Sequence, residues 1–199
     1  MYVEEYEMIY INDKIYSFDL QEALAQLSEQ RREQALKFKH ELGQRTCAAA
    51  YLLLCDGLRK EYGIIEKPVF EYGEHGKPSL LGYPHIQFNF SHCREAVICI
   101  LSDQPVGVDI ESIRTFKQPL VDYTMNEDEA HQIEQAESPE LEFIKLWTQK
   151  EAVLKLTGEG ITRDLKSVLL NPPASLTTIV SSDIRYVYSY AFNNTSIAE

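Results

Sequence analysis

The sequence is poor in positive charge, with 19 Lys and Arg residues against 31 Asp and Glu residues and a formal net charge of -12. Nucleic-acid binding depends on a dense field of Lys and Arg that neutralises phosphates. The composition therefore argues against general nucleic-acid binding. It also means that any polyanionic ligand must depend on a local cluster of cations or on a metal ion.

Long apolar runs and a recognisable signal peptide are also missing. The longest apolar run is far below the ~18 residues that indicate a membrane span. The first residues, MYVEEYEMIYIN, have neither a basic start nor a long apolar stretch. We therefore expect no membrane partner. We also expect a cytoplasmic location and a monomeric state.

Cysteine pairs of the zinc-binding kind are absent. The four cysteines form no CxxC motif and have no His-rich neighbourhood. They are Cys47, Cys55, Cys93 and Cys99. We expect reduced structural thiols, because a chain of 199 residues can form a sizeable core with no disulfide or structural metal.

The order of apolar patterns and turn signals predicts strands alternating with helices. In the first half we expect a strand in YEMIYIN, a helix capped by Asp19, and two helices that are separated near Gly43 and end before Gly63. Further strands are predicted at residues 69–72 and in HIQFNFSH, AVICILSD and PVGVDIE, with a loop over residues 76–84.

The second half has helix signals at two places. Asn126 is a candidate N-cap, and Ser138 with Pro139 is a candidate N-cap and first-turn pair. Two alternating runs, LTTIVSS and IRYVYSYAF, predict antiparallel strands. The chain has no low-complexity segment and no Gly-, Ser- or Pro-rich linker, so the pattern indicates a compact α+β protein.

The acidic residues of the segment GVDIE alternate with apolar ones, as in a strand. Asp109 and Glu111 would point to the same side, about 6.6 Å apart along the strand, while Val108 and Ile110 suit a core. Two carboxylates on one face repel each other unless a cation lies between them, and Mg²⁺ takes oxygen ligands that it shares with substrate phosphates. The residues alone leave two interpretations open, a metal site or a solvated strand end.

A predicted helix downstream, ELEFIKLWTQKEAVLKLTG, carries functional side chains at intervals of four residues. Trp147, Glu151 and Lys155 follow one another along one face, and Glu151 and Lys155 are about 6 Å apart along the axis. They can share one site or form an ordinary surface ion pair. The apolar residues beside them indicate that much of the helix is buried, and a buried Glu needs a metal or lysine partner. These apolar residues are Phe143, Leu146, Val153 and Leu154.

Two shorter segments offer groups that could meet a ligand. In EHGKPSL, Gly76 allows close approach of the backbone and Lys77 supplies a cation beside it. In FNFSHC, Ser91 and His92 stand at a strand end, where His92 could equally be a structural histidine. Neighbouring strand residues point to opposite faces, so Ser91 and His92 are not expected to pair as nucleophile and base.

The densest group of cations lies between residues 31 and 45. It consists of Arg31, Arg32, Lys37, Lys39 and Arg45, and Thr46 follows. Basic residues on amphipathic helices are often only solvated. In a chain this acidic, however, they form the best available phosphate-binding region.

Together these segments resemble the 4'-phosphopantetheinyl transferase superfamily, in its larger, surfactin-synthetase-activating type. The matching motifs are GKP at 76–78, FNFSH at 88–92, GVDIE at 107–111 and WTQKEAVLK at 147–155, in the family's order and spacing. Segments around Arg31 and Arg45 also match, so the resemblance covers about residues 25–160. GVDIE followed by W-x-x-K-E-A-x-x-K is a specific combination.

The resemblance implies an α+β fold of two similar α/β halves related by a pseudo-twofold axis, with antiparallel strands packed against helices. The halves would be residues 1–105, with the coenzyme A phosphate and adenine contacts, and residues 106–199, with the metal site and the catalytic helix. Coenzyme A would bind in the cleft between the halves.

Roles for single residues also follow from the resemblance. Mg²⁺ would be bound by Asp109, Glu111 and Glu151, and the catalytic residues would be Glu151, Lys155 and His92. The implied coenzyme A contacts are Arg31, Arg45, Thr46, Lys77, Pro78, Ser91, His92 and Lys155. Gln34 departs from the pattern, because related enzymes can carry a lysine there.

The implied reaction moves the phosphopantetheine arm of coenzyme A to a serine of an apo acyl or peptidyl carrier protein and releases 3',5'-ADP. Glu151, or a water that it orients, would take the serine proton, with Glu127 as a weaker candidate. Spacing alone leaves two other functions open, a metal-dependent phosphodiesterase or pyrophosphate hydrolase and a coenzyme A-binding scaffold. Residues 112–125 are a candidate carrier-docking surface and could equally be core.

Overall fold

A computed structural model of the chain describes residues 8–73, 76–158, 164–172 and 174–193. The chain divides into two compact units, Met1–Pro105 and Val106–Glu199. Each unit has a three-stranded antiparallel sheet with helices packed against it, so the architecture is mixed α/β. Within the described ranges, no helix is both long enough and apolar enough to cross a membrane.

The N-terminal unit combines three helices with five strands in its described residues. The helices are α1 (Leu20–Gln26), α2 (Glu29–Leu36) and α3 (Glu41–Tyr62). The strands are β1 (Met8–Asn12), β2 (Phe70–Tyr72), β3 (Pro78–Leu80), β4 (Gln87–His92) and β5 (Val97–Ser102). The sheet has the order β1–β5–β4, and β2 pairs with β3. β3 lies in the segment predicted as a loop, and that prediction is wrong for its three residues.

The ends of the helices follow local chemistry, with one correction. The Asp19 carboxylate accepts a hydrogen bond from Glu22 N–H and begins α1, and α3 ends at Gly63 in the left-handed conformation, both as predicted. The predicted break near Gly43 is wrong, because α2 ends at Leu36 and Gly43 lies in the first turn of α3. A Cβ atom on Gly43 would lie 2.6 Å from Phe38 Cδ1, so this glycine leaves room for the ring of Phe38, which precedes α3.

Strand β5 forms the centre of the N-terminal core. All its residues are buried, and it pairs with β1 on one side and β4 on the other. Helix α3 packs on the sheet through a cluster that includes Leu54, Leu58, Cys99 and Leu101. All four cysteines of the chain are free thiols, as predicted. Because β4 pairs with the buried strand β5 along its whole length, its position in the sheet is fixed.

The C-terminal unit has three helices over three strands in its described residues. The helices are α4 (Gln118–Thr124), α5 (Glu127–Gln135) and α6 (Pro139–Thr157), and a 3₁₀ turn covers Leu165–Ser167. The strands are β6 (Val106–Ser112), β7 (Ala174–Val180) and β8 (Tyr186–Asn193), in the order β6–β8–β7. The two C-terminal strands are antiparallel, as predicted.

Helix α4 is absent from the predicted elements. It lies within residues 112–125, where Val121 and Met125 belong to the core, whereas Leu120 and Tyr123 are exposed. α5 begins with a capping box in which Asn126 and Glu129 bond each other's backbone N–H groups. Ser138 is the N-cap of α6, but its side chain makes no capping hydrogen bond.

Gly107 is the point at which α6 comes closest to β6. A Cβ atom on Gly107 would lie 2.1 Å from Ala152 O and 2.3 Å from Leu156 N. Real Cβ atoms essentially never approach heavy atoms within 3.0 Å, so only glycine lets the two backbones meet here. The contact brings α6 onto the face of β6 that carries Asp109.

Replacing Gly107 with Ala should therefore lower the free energy of unfolding. Overpacking costs about 1–3 kcal/mol, and the upper end is expected because both obstacles are backbone atoms that cannot rotate away. Chemical denaturation of the two proteins measures the loss.

The matched control is Gly73→Ala, where the added Cβ would meet its nearest neighbour, Lys77 O, at an ordinary 3.7 Å. Equal destabilisation of the Gly107 and Gly73 variants would contradict the packing explanation.

Candidate active site

The acidic side chains of β6 face the catalytic helix candidate, α6. Asp109 is buried, and its Oδ1 accepts a hydrogen bond from Lys155 Nζ at 2.6 Å. Glu111 lies two residues further along β6 on the same face, and Glu151 precedes Lys155 by one helical turn. The C-terminal unit thus brings together the three acids and the lysine that the sequence singles out.

The pKa values of the two glutamates respond to burial and to the charges around them. Burial, and then the charge of Asp109, raise the pKa of Glu111, while Arg114, the indole N–H of Trp147 and Lys155 lower it in part. Burial, and then Asp109, likewise raise the pKa of Glu151, which Lys155 lowers and Glu111 raises further. Each carboxylate is therefore destabilised by its neighbours, and an added positive charge would relieve the repulsion.

The chemistry of these donors fits a hard divalent cation. All three side chains offer carboxylate oxygens, which Mg²⁺ prefers, and their mutual repulsion is the condition that a bound cation would remove. In the described part of the chain, no three His, Cys, Asp or Glu side chains are placed together as ligands of one ion. In this conformation the ammonium group of Lys155 supplies the nearest positive charge to Asp109.

A row of three hydroxyl groups links α6 to the sheet beside Asp109. Asp109 on β6 is in register with Ser189 on β8, and Ser189 with Thr178 on β7. The Ser189 hydroxyl lies 2.8 Å from that of Thr148 on α6 and 2.9 Å from that of Thr178, which accepts a hydrogen bond from Gln149. Helix α6 is thus tied to the sheet by polar contacts as well as by the Gly107 contact.

An aromatic pocket opens beside Glu111. Its walls include Phe116, Phe143 and Trp147, and two basic residues, Arg114 and Lys117, line its edge. The Phe116 and Phe143 ring centroids are 4.7 Å apart, and Trp147 stacks on Phe143 at 6.5 Å. Glu127 lies outside this pocket, exposed in the first turn of α5.

Two of the predicted coenzyme A contacts in the N-terminal unit lie at the end of β4. Ser91 is buried and His92 is exposed, consistent with side chains on opposite faces. His92 lines a pocket with Thr46 and with Lys39 and His40 at the start of α3. His40 is absent from the residues that the sequence singles out, because a lone histidine after a lysine carries no signal of its own.

Arg31 is buried rather than open to solvent. Its guanidinium carbon lies 5.8 Å from the Phe70 ring centroid and 5.2 Å from that of Phe90. Its amino groups donate hydrogen bonds to Gln34 Oε1 and Cys47 O. Gln34, the departure from the family pattern, is therefore a partner of Arg31.

Arg45 is also engaged within the N-terminal unit. It forms an ion pair with Glu41 at 2.6 Å and donates hydrogen bonds to Ile15 O and Phe18 O. Its predicted contact with coenzyme A stays a prediction, as does that of Arg31.

Lys77 and Pro78 stand where the chain enters β3. Gly76 has a left-handed backbone with φ +78°, and burial lowers the pKa of Lys77. Pro78 lies in the two-stranded sheet of β2 and β3, which packs against β4 through Phe70 and Phe88 and is separate from the sheet that contains β4.

Comparison with known proteins assigns the arrangement to a family. A sequence model of the 4'-phosphopantetheinyl transferase superfamily matches residues 105–196. The chain is 30% identical over 160 residues to 4'-phosphopantetheinyl transferase psf-1 of Bacillus pumilus, covering 79% of this chain and 69% of that protein. It is 25% identical over 162 residues to 4'-phosphopantetheinyl transferase Sfp of Bacillus subtilis strain 168, covering 80% and 72%.

A third relative matches a shorter stretch more closely. The chain is 36% identical over 115 residues to 4'-phosphopantetheinyl transferase AcpT of Salmonella typhi, covering 55% of this chain and 59% of that protein. The residues matched by the family model include the GVDIE and WTQKEAVLK motifs. The chain therefore belongs to the 4'-phosphopantetheinyl transferase superfamily, in its larger, surfactin-synthetase-activating type.

Proposed function

We propose that this protein transfers the 4'-phosphopantetheine group of coenzyme A to a serine of an apo acyl or peptidyl carrier protein, releasing 3',5'-ADP. The observation that carries the proposal is the cluster of Asp109, Glu111, Glu151 and Lys155 in a chain of this family. A strongly acidic protein that binds a pyrophosphate needs a local concentration of positive charge. The carboxylates of this cluster would bind a cation that supplies it.

Asp109, Glu111 and Glu151 are the residues that would hold Mg²⁺. When bound, the ion would neutralise pyrophosphate charge and act as a Lewis acid on a phosphoryl oxygen. Lys155, which bonds Asp109 in this structure, would then be able to turn its ammonium group to a phosphate oxygen.

Glu151 is the proposed proton acceptor. Its carboxylate, or a water that it orients, would take the proton from the carrier serine. The serine oxygen then attacks the β-phosphorus and the bond to the 3',5'-ADP leaving group breaks. Lys155 and His92 would stabilise the negative charge that develops on the leaving phosphate.

The residues of the N-terminal unit have a binding role in this proposal. Lys77, Pro78, Ser91 and Thr46 would contact the nucleotide part of coenzyme A. Arg31 and Arg45 are assigned to the 3'-phosphate by the resemblance, although both already have partners within the protein. The exposed first-turn position of Glu127 favours a helix-charge role over a base.

Several finer points belong to the proposal. These are a pseudo-twofold relation of the two halves with a cleft for coenzyme A, a monomeric state and a cytoplasmic location. The alternative of a metal-dependent phosphodiesterase has no support among the relatives, whose names are those of transferases.

Incubation with coenzyme A and several apo carrier proteins tests the proposal directly. Mass spectrometry should show a carrier that gains the mass of one phosphopantetheine arm, with release of 3',5'-ADP. Nucleotide release with every carrier unlabelled would indicate hydrolysis and would overturn the assignment.

Asp109→Asn should abolish transfer while the protein stays folded. The change removes the buried negative charge that Lys155 and a cation would share, but keeps the size of the side chain. Initial rates of carrier labelling at limiting Mg²⁺ measure the loss. Asp183→Asn, on an exposed aspartate paired with Arg185, is the matched control and should retain the wild-type rate.

Removal of divalent metal should stop transfer reversibly. Protein treated with a chelator and then freed of it should be inactive, and added Mg²⁺ should restore carrier labelling. Full activity in metal-free buffer would contradict the assignment of Asp109, Glu111 and Glu151 to a cation.

Lys155→Met should slow transfer by about 100- to 1,000-fold, because loss of one group that stabilises transition-state charge has effects of this size. Lys145→Met is the control on the same helix, where Lys145 pairs with Glu142 at 3.2 Å. Comparable losses in the two variants, measured as kcat for carrier labelling, would argue against a specific role for Lys155.

A further inference from the structure

The C-terminal unit contains a second ion pair on α6 that the proposed reaction does not use. Lys150 is completely buried, with 0% of its side chain exposed, and its Nζ lies 2.8 Å from Glu129 Oε2. Nζ also donates a hydrogen bond to Leu165 O at 2.7 Å. Buried lysines are rare, so this one calls for a physical explanation.

The pair belongs to a network that joins three segments. Glu129 Oε2 accepts a second hydrogen bond, from Asn126 N–H, while Asn126 Oδ1 accepts one from Glu129 N–H. The Asn126 side chain donates to Lys166 O. The start of α5, the middle of α6 and the 3₁₀ turn Leu165–Ser167 are therefore linked through one carboxylate and one ammonium group.

The network contacts α6 on the side away from the sheet. Residues two apart on an α-helix project to nearly opposite sides. Thr148 contacts the sheet through Ser189, so Lys150 points to the opposite side, toward α5 and the 3₁₀ turn. Helix α6 is held by directional contacts on two sides, and Glu151 projects between them.

Stability is a weak explanation for such a pair. The desolvation of two buried charges offsets most of their attraction, and apolar residues of similar volume are often as stabilising. One carboxylate oxygen, Glu129 Oε1, is buried and has no hydrogen-bond partner among the described residues, which adds to the unfavourable desolvation. An apolar pair would lack the directionality of hydrogen bonds. Apolar contacts tolerate sliding and rotation of a helix, whereas the two hydrogen bonds of Lys150 Nζ do not.

We propose that Lys150 and Glu129 are positioning residues, whose buried ion pair fixes the rotation and axial position of α6 and so aims Glu151 and Lys155 at the acidic strand β6. The inference rests on the proposed transfer reaction for its kinetic consequence, but its structural consequence is independent of that reaction. Small displacements of reacting groups can reduce rates by about 100-fold, which makes such a fixing contact valuable.

The test is the apolar pair variant Lys150→Met/Glu129→Leu. We expect a free energy of unfolding at or near that of the wild type, but a kcat for carrier labelling lowered by about 10- to 100-fold. KM for coenzyme A should change less than kcat, because the nucleotide contacts assigned to the N-terminal unit are untouched. The matched control is Lys145→Met/Glu142→Leu, which removes the partly exposed lysine–glutamate pair of the same helix and should keep the wild-type kcat.

Tryptophan fluorescence gives a readout that does not depend on activity. Trp147 is the single tryptophan of the chain, and it lies on α6 beside Glu111. A rotated or shifted α6 should change its emission maximum in the apolar pair variant and leave it unchanged in the control. If the wild type labels no carrier, the proposed function fails, while emission and denaturation still decide the role of the pair.

An apolar pair variant with wild-type stability, wild-type kcat and wild-type emission would overturn the proposal. If that variant does not fold, Asn126→Ala replaces it, because this change loosens the network without leaving a buried charge. It should lower kcat several-fold and shift the Trp147 emission, whereas Asp19→Ala, the loss of a comparable cap on α1, should do neither. Equal effects of the two cap variants would refute the proposal.

Discussion

No side chain separates β6 from α6 at Gly107, and the spacing of the candidate active site depends on that contact. Because the two backbones touch, the Lys155 ammonium can reach Asp109, and Glu151 lies within the field of both acids of β6. A wider helix–sheet separation would leave the same residues in the same order but out of electrostatic reach, since interactions between charges fall with distance and with access of water. The glycine that opens the GVDIE motif therefore has a steric reason to be there.

The like charges of the acidic cluster repel one another, and contacts of the surrounding elements keep its residues close together. Burial, and then the charge of Asp109, raise the pKa of both glutamates, while the ion pair between Lys155 and Asp109 draws α6 and β6 together. The hydroxyl row from Thr148 to Ser189 and Thr178 fixes one side of α6, and the buried Lys150 fixes the other. Polar contacts on both sides of this mostly buried helix are consistent with the cation site proposed above, which requires like charges to be held close together.

Much of this arrangement can be predicted from the sequence, because the signals are local. Alternation predicts β6 and the shared face of Asp109 and Glu111, and capping residues predict the starts of α1 and α5. Signals fail where the role of a residue depends on a packing contact that its own sequence pattern does not reveal. Gly43 looks like a helix break and is instead a packing position for Phe38.

Contacts between distant parts of the chain also give some motif residues roles that the sequence does not indicate. Arg31 looks like a surface cation until Phe70 and Phe90 enclose it. Lys150 stands within the WTQKEAVLK motif, but nothing near it in sequence indicates that Glu129 is its partner. Residues three or four apart on one helix can be paired by inspection, whereas pairs formed between elements require the tertiary fold.

The strand order β6–β8–β7 has a consequence for how the protein acquires its site. The strand that carries Asp109 and Glu111 has β8 as its sheet neighbour in the described residues, and β8 is the last described strand of the chain. During synthesis, the acids, α6 and the buried lysine must all emerge before the strand that pairs with β6 is available. Closure of so long a loop is slow compared with local helix formation. The C-terminal sheet can therefore be completed only after β8 has been synthesised.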